Sequence, residues 1–151
     1  PVLELKDGTL LRESKAILAW LTKGTELMPE NPEERAQVLQ WMFFEQSNID
    51  KNLGRCRFMA TYPEFKKMLP PGHLEMCEYL GNEALGILNE HLEGKQFLVG
   101  ETYTAADIAV FAYVHCSEVG GFNLKQYPEV AAWCNHVQHQ KGHISIEQAP
   151  T

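Results

Sequence analysis

From Pro32 almost to its end the chain repeats apolar residues at spacings of three and four, interrupted only by Pro and Gly clusters, whereas its opening residues alternate apolar and polar. This change of period restricts the fold to a small β element followed by a helical body. Pro32 suits a first helical turn, and Glu33 and Glu34 suit its positive end. Leu39, Met42, Phe43 and Gln46 share one stripe, while Trp41 and Phe44 are apolar outside it. A helix apolar on more than one side has two surfaces to cover, here the core and a partner subunit, so a homodimer is expected. Asn52-Leu53-Gly54 predicts a kink before Arg55-Cys56-Arg57-Phe58 resumes the helix, and Pro70-Pro71-Gly72 breaks the chain. The next helix, His73 to Leu92, carries Leu74, Cys77, Gly81, Ala84, Leu85, Leu88 and Leu92 on one stripe, with Gly81 and Ala84 permitting close packing. Phe97-Leu98-Val99-Gly100 reads as a short extended segment, and Thr104 to Val119 as a central helix buried all round. Tyr127-Pro128-Glu129 opens a last helix with Val130, Trp133 and Val137 inward, and Lys141-Gly142 stops it.

At the other end, Val2 to Leu5 and Thr9 to Leu11 flank the turn signal Lys6-Asp7-Gly8, which predicts a β-hairpin. Two strands alone are marginal in water, so the hairpin must extend a sheet or lie against helices. Ser14 to Thr22 reads as a helix with Ile17, Trp20 and Leu21 on its buried face. Met28-Pro29-Glu30-Asn31-Pro32 is polar and helix-breaking, and it is the best linker in the sequence.

Thirteen basic against twenty acidic residues give a formal charge of −7, which disfavours nonspecific nucleic-acid binding. No apolar run is long enough to span a bilayer, and the start has no basic segment followed by an apolar one, so a cytoplasmic location is expected. Cys56, Cys77, Cys116 and Cys134 lie far apart among helix-forming apolar residues, and they read as small buried hydrophobes rather than a disulfide framework or a nucleophile.

Four constellations are candidates for chemistry. Glu13-Ser14 stands at the hairpin-to-helix junction, where unpaired N–H groups and a partial positive charge favour a carboxylate. The Ser14 hydroxyl and the Glu13 carboxylate would together hold an amino-acid head group, although Ser14 could simply cap the helix. Thr104-Ala105-Ala106-Asp107 has capping-box spacing, with Tyr103 and Ile108 at the staple positions; this feature is structural. Gln46, Asn48, Asn52, Arg55 and Arg57 could line one wall of a cleft beside the hairpin or form a solvated face. His136, His139 and His143 lack a carboxylate at a fixed spacing, and no metal is expected.

Three ordered segments carry a family resemblance. Pro1-Val2-Leu3 with Asp7-Gly8-Thr9 and Leu11 to Leu18 resembles the second half of the thioredoxin-like domain of cytosolic glutathione S-transferases of the bacterial type. In that family a cis-proline, matched by Pro1, starts the third strand, and an acidic residue plus serine, matched by Glu13 and Ser14, grip the γ-glutamyl group. Phe97 to Gly100 with Thr104 to Ala109 resembles the family's capping box and staple, and Tyr127-Pro128 through Trp133 to Gly142 is similar to its closing helix.

The resemblance implies a mainly α fold: a partial thioredoxin-like hairpin plus helix over 1–24, a linker over 25–32, and an all-α glutathione transferase C-terminal helical domain over 33–151. It implies glutathione as co-substrate, contacted by Val2, Glu13 and Ser14. A small, mostly apolar electrophile would then meet Asn48, Asn52, Arg55 and Phe58. The family's thiol-activating Tyr, Ser or Cys is expected upstream of Pro1, so the chain as it stands is expected to be truncated and inactive by itself. The alternative is a noncatalytic member serving as an interaction or scaffold module, or an inactive truncated product.

Overall fold

The computed structural model describes residues 1–146 and Gln148. Strands β1 (Val2–Glu4) and β2 (Leu10–Arg12) pair antiparallel with Val2 opposite Arg12, Leu3 opposite Leu11 and Glu4 opposite Leu10. The turn is closed by Leu5 N–H donating to Thr9 O at 2.8 Å and Gly8 N–H to Leu5 O at 2.9 Å. Asp7 Oδ1 accepts from Thr9 N–H at 3.0 Å, an aspartate bonding two residues onward as turn aspartates do.

Helix α1 (Ser14–Thr22) has the expected extent but presents the opposite side to the core. Leu18 and Ala19 pack on the core and Thr22 is buried, whereas Trp20 and Leu21 are 48% and 55% exposed. The helix carries two apolar stripes, and periodicity alone cannot say which one faces the bundle. The linker is also less loose than its composition implies. Met28 is a core residue, and Leu27 O accepts from Ala105 N–H at 2.8 Å.

Asn31 opens the long helical rod, its Oδ1 accepting from Glu33 N–H at 2.9 Å and Glu34 N–H at 3.1 Å ahead of Pro32. The rod runs as α2 (Pro32–Phe44), a π-helical stretch (Glu45–Gly54) and α3 (Arg55–Thr61). The expected kink at Asn52-Leu53-Gly54 is thus a wide-turn segment that ends there. Ser47, Asn48 and Asn52 donate their side chains to the carbonyls of Phe43, Phe44 and Asn48 at 2.8, 3.2 and 2.7 Å. Side chains that bond to these carbonyls compete with the α-helical ladder. The inward seam is Val38, Trp41, Met42, Glu45, Ile49, Asn52 and Leu53, so Trp41 belongs to it and Phe43, 66% exposed, does not.

After a 3-10 turn (Pro63–Met68), α4 (His73–His91) buries Cys77, Gly81, Ala84, Leu85 and Leu88 against the rod and the last helix. Phe97, Leu98 and Val99 are buried in a series of bends rather than an extended run. Helix α5 (Ala105–Val114) is buried nearly all round, but it stops short of the expected Val119 and gives way to a 3-10 turn (Ser117–Gly120). Helix α6 (Pro128–Gln138) packs Val130, Trp133 and Val137 inward. Its start is capped from α4, where Asn89 Oδ1 accepts from Glu129 N–H at 3.0 Å. Cys56, Cys77 and Cys134 are buried as expected, and Cys116 is only partly buried.

The Thr104–Asp107 capping box forms, and Asp107 does more than its spacing implied. Its Oδ2 accepts from Thr104 N–H at 2.9 Å and Thr104 Oγ1 at 3.2 Å, while its Oδ1 accepts from Leu98 N–H and Trp133 Nε1–H, both at 2.9 Å. One buried carboxylate therefore ties the bends at Leu98, the start of α5 and the middle of α6.

Candidate functional site

The hairpin register sets Val2 opposite Arg12, the residue before Glu13, so Val2, Glu13 and Ser14 gather at one end of the hairpin where α1 begins. Glu13 is the only non-glycine among the described residues with positive φ, at φ 71° and ψ 119°. Backbone held in so sparse a region costs about 1–3 kcal/mol and persists where the surroundings enforce it. Glu13 occupies the cap position, yet its carboxylate accepts no helix N–H, and Ser14 is the first helical residue rather than the cap. Glu13, Ser14 and Ala16 are exposed, Lys15 is partly buried, and no side chain caps the first turn. This is a ready receptor for a group bearing both a carboxylate and an ammonium.

Behind the junction, Lys15 Nζ pairs with Glu45, the first residue of the π-helical stretch. The Glu45 side chain is 0% exposed. Burial raises its carboxyl above the ordinary value, Lys15 opposes the rise, and Asp50 adds to it. Asp50 also accepts from Gln46 Nε2–H at 3.1 Å. Tyr113 of α5, pushed up to about 12 by burial first and then by Asp50, lies against Asp50 and Gly54. Between α1 and α2 opens a cleft of about 340 Å³ lined by Glu13, Lys15, Ala16, Ala19, Leu39, Met42, Phe43 and Gln46.

Asn48, Asn52, Arg55 and Phe58 do not line this cleft. The Asn48 and Asn52 amides are occupied by backbone carbonyls of the rod. Arg55 is exposed, and Phe58, 42% exposed, clusters with Tyr62 at 5.1 Å and Phe65 at 5.6 Å between ring centroids. His136 and His139 lie on or at the end of α6, and His143 meets Phe111 edge-on at 5.5 Å. Sequence reading missed Lys15 and Glu45. The available signal was the spacing of Glu45, four residues after Trp41 and four before Ile49, which puts a carboxylate in an apolar seam.

Residues 77–141 match the family described as glutathione S-transferase, C-terminal domain. A glutathione S-transferase from Pseudomonas fluorescens is 41% identical, with a TM-score of 0.87 over 96% of this chain and 72% of that one. A glutathione transferase from Pseudomonas putida, solved with one glutathione disulfide per subunit, is 26% identical, with a TM-score of 0.75 over 90% of this chain and 62% of that one. The curated relative glutathione S-transferase D6 of Drosophila melanogaster is 28% identical over 130 residues, 83% of this chain. The chain spans 58% of that relative's length.

Proposed function

The chain belongs to the glutathione S-transferase family, and we propose that it supplies the γ-glutamyl grip and the helical acceptor wall of an enzyme that conjugates glutathione to small, mostly apolar electrophiles. In that reaction the glutathione thiolate attacks the electrophile, a C–S bond forms, and the leaving group departs with the displaced electron pair. The part assigned to these residues is binding and orientation. Ser14, with the first-turn N–H groups of α1, holds the γ-glutamyl carboxylate, Glu13 accepts from its ammonium group, and Val2 flanks the tripeptide from β1. The observation that carries this reading is the strained, uncapped junction at Glu13-Ser14.

We assign thiol activation to none of these residues. The Cys56 and Cys134 thiols, pushed up by burial to about 11 and about 12, are packing groups. On the acceptor side, Asn48 and Asn52 shape the rod, while exposed Arg55 and Phe58 are free to meet the electrophile. Exposed Phe43 beside the apolar cleft supports a homodimer. No helix among the described residues is long and apolar enough to cross a membrane, and three buried thiols suit a reducing, cytoplasmic compartment. Residues 1–24 and the described part of 33–151 then form the two structural units, joined by 25–32.

The test is glutathione affinity by calorimetry in the full-length protein. Losing one hydrogen bond to a charged group costs about 1.5–3 kcal/mol, so Ser14→Ala and Glu13→Ala should each raise Kd by about 10- to 100-fold. Unchanged affinity in both variants would sink the assignment.

A further inference from the structure

Between Lys51 and Lys67 stand five of the chain's thirteen basic residues, Lys51, Arg55, Arg57, Lys66 and Lys67, but only one of its twenty acidic residues, Glu64. In a chain of net charge −7 this segment is locally positive. Lys51, Arg55, Lys66 and Lys67 are exposed, and no ion pair among the described residues involves any of the five. Their charge is therefore not neutralised within the fold, and it draws anions from solvent.

The same segment gathers three aromatic rings. Between centroids, Phe58 lies 5.1 Å from Tyr62 and 5.6 Å from Phe65, and Tyr62 lies 6.4 Å from Phe65. Contact among the rings does not hide them, for they remain 42%, 47% and 39% exposed in chain order. Arg55 precedes Phe58 by three positions on α3, which puts the guanidinium and the ring on one face. Lys66 and Lys67 follow Phe65 directly. Rings left in water favour a further ring placed against them, edge-on or offset. A planar guanidinium beside them favours a carboxylate, which it holds through two parallel hydrogen bonds. A flexible polyanion would use the charges without the rings, and a neutral arene the rings without the charges.

We propose that the acceptor wall selects aromatic electrophiles bearing an anionic group, with the ring against Phe58 and its aromatic neighbours and the carboxylate on Arg55. Lys66 and Lys67 add a field that steers the anion toward the wall. The inference rests on the acceptor role assigned above to Arg55 and Phe58, and it narrows the mostly apolar electrophile to one class. The chemical step is the same: the thiolate attacks the ring carbon bearing a halogen, a C–S bond forms, and the halide leaves with its electron pair.

The experiment titrates the glutathione-loaded full-length protein with two unreactive probes of the same shape, meta-nitrobenzoate and meta-nitrobenzamide, and follows binding by NMR. The benzoate should bind about tenfold more tightly than the benzamide. Arg55→Gln should bring the two Kd values to within about twofold, whereas Phe58→Ala should weaken both probes by about fivefold. Added salt should erode the benzoate's preference less in Lys66→Gln/Lys67→Gln than in the parent, because fewer exposed charges are left to screen. Equal affinities or no binding in the parent, or a preference that survives Arg55→Gln, would overturn the proposal. Rates of glutathione conjugation with the para-chloro derivatives of both probes separate it from the activity proposed above. Charge-selective binding without turnover of either derivative refutes the conjugation, and turnover of both with charge-blind binding refutes the selection.

Discussion

Removing the Asp107 carboxylate would leave four buried donors without that acceptor: Leu98 N–H, Thr104 N–H, Thr104 Oγ1–H and Trp133 Nε1–H. Each orphaned donor costs about 1–3 kcal/mol, so Asp107→Ala should lose roughly 4–12 kcal/mol. That is comparable with the whole stability of an ordinary domain, about 5–15 kcal/mol, and this variant should be largely unfolded at 37 °C. Asp107→Asn separates charge from shape. Its remaining oxygen can still receive Leu98 N–H and Trp133 Nε1–H, but its amide NH₂ then confronts Thr104 N–H, donor against donor. One orphan donor plus the loss of charge-assisted bonding puts the cost at about 2–4 kcal/mol. Trp133→Phe removes one donor, leaves the carboxylate with its others, and should cost least of the three. The measurement is urea unfolding at pH 7 followed by far-ultraviolet circular dichroism, which does not depend on the altered tryptophan. An Asp107→Asn variant within about 0.5 kcal/mol of the parent would refute the three-way tie. So would a Trp133→Phe variant less stable than Asp107→Ala.

Two further predictions concern helix packing and pH. A Cβ at Gly81 would stand 2.5 and 2.6 Å from ring carbons of buried Phe122 and 3.0 Å from Leu53 Cδ1, whereas Gly86 on the same helix has open space. Gly81→Ala should therefore lose about 1–3 kcal/mol to overpacking, and Gly86→Ala should gain about 1 kcal/mol of helix propensity; equal effects in urea titrations would contradict the packing. Glu45 binds its proton more tightly folded than unfolded, because burial raises its carboxyl from 4.5. In the window above 4.5 the native state then holds more protons, so this group's contribution to stability falls as pH rises through its folded value. The stability of Glu45→Gln relative to the parent should accordingly improve between pH 4.5 and pH 7. A difference with the opposite slope would show that Lys15 outweighs burial.

Elements whose signals are local and single-valued could be read from the sequence. The Asp7-Gly8 turn bonds within itself, α4 carries one seam, and the Thr104–Asp107 box closes over three residues. The inward face of α1 could not, because Leu18-Ala19 and Ile17/Trp20/Leu21 are both apolar and only the bundle chooses between them. The winding of the rod between Glu45 and Gly54 was also out of reach. Its signal lies in which carbonyls Ser47, Asn48 and Asn52 capture, and apolar spacing does not record that. The cap on α6 comes from Asn89, a residue on another helix that no local pattern around Tyr127-Pro128 names.

The candidate site divides along the same line. Glu13 and Ser14 are adjacent in sequence, and their role follows from a hairpin running into a helix. The acceptor wall rests on helical spacing alone. The buried seam Trp41, Glu45, Ile49, Asn52 and Leu53 keeps spacings of three and four through the π-helical stretch, so spacing places the inward face there but does not name the partner each polar side chain takes. Gln46 lines the cleft beside α1, Asn48 and Asn52 turn to the rod's own carbonyls, and Asp50 comes against Tyr113. The stretch begins at Glu45, the residue that binds Lys15. A segment that appears in sequence as a mere polar interruption of a helix is therefore the place where the rod is joined to α1.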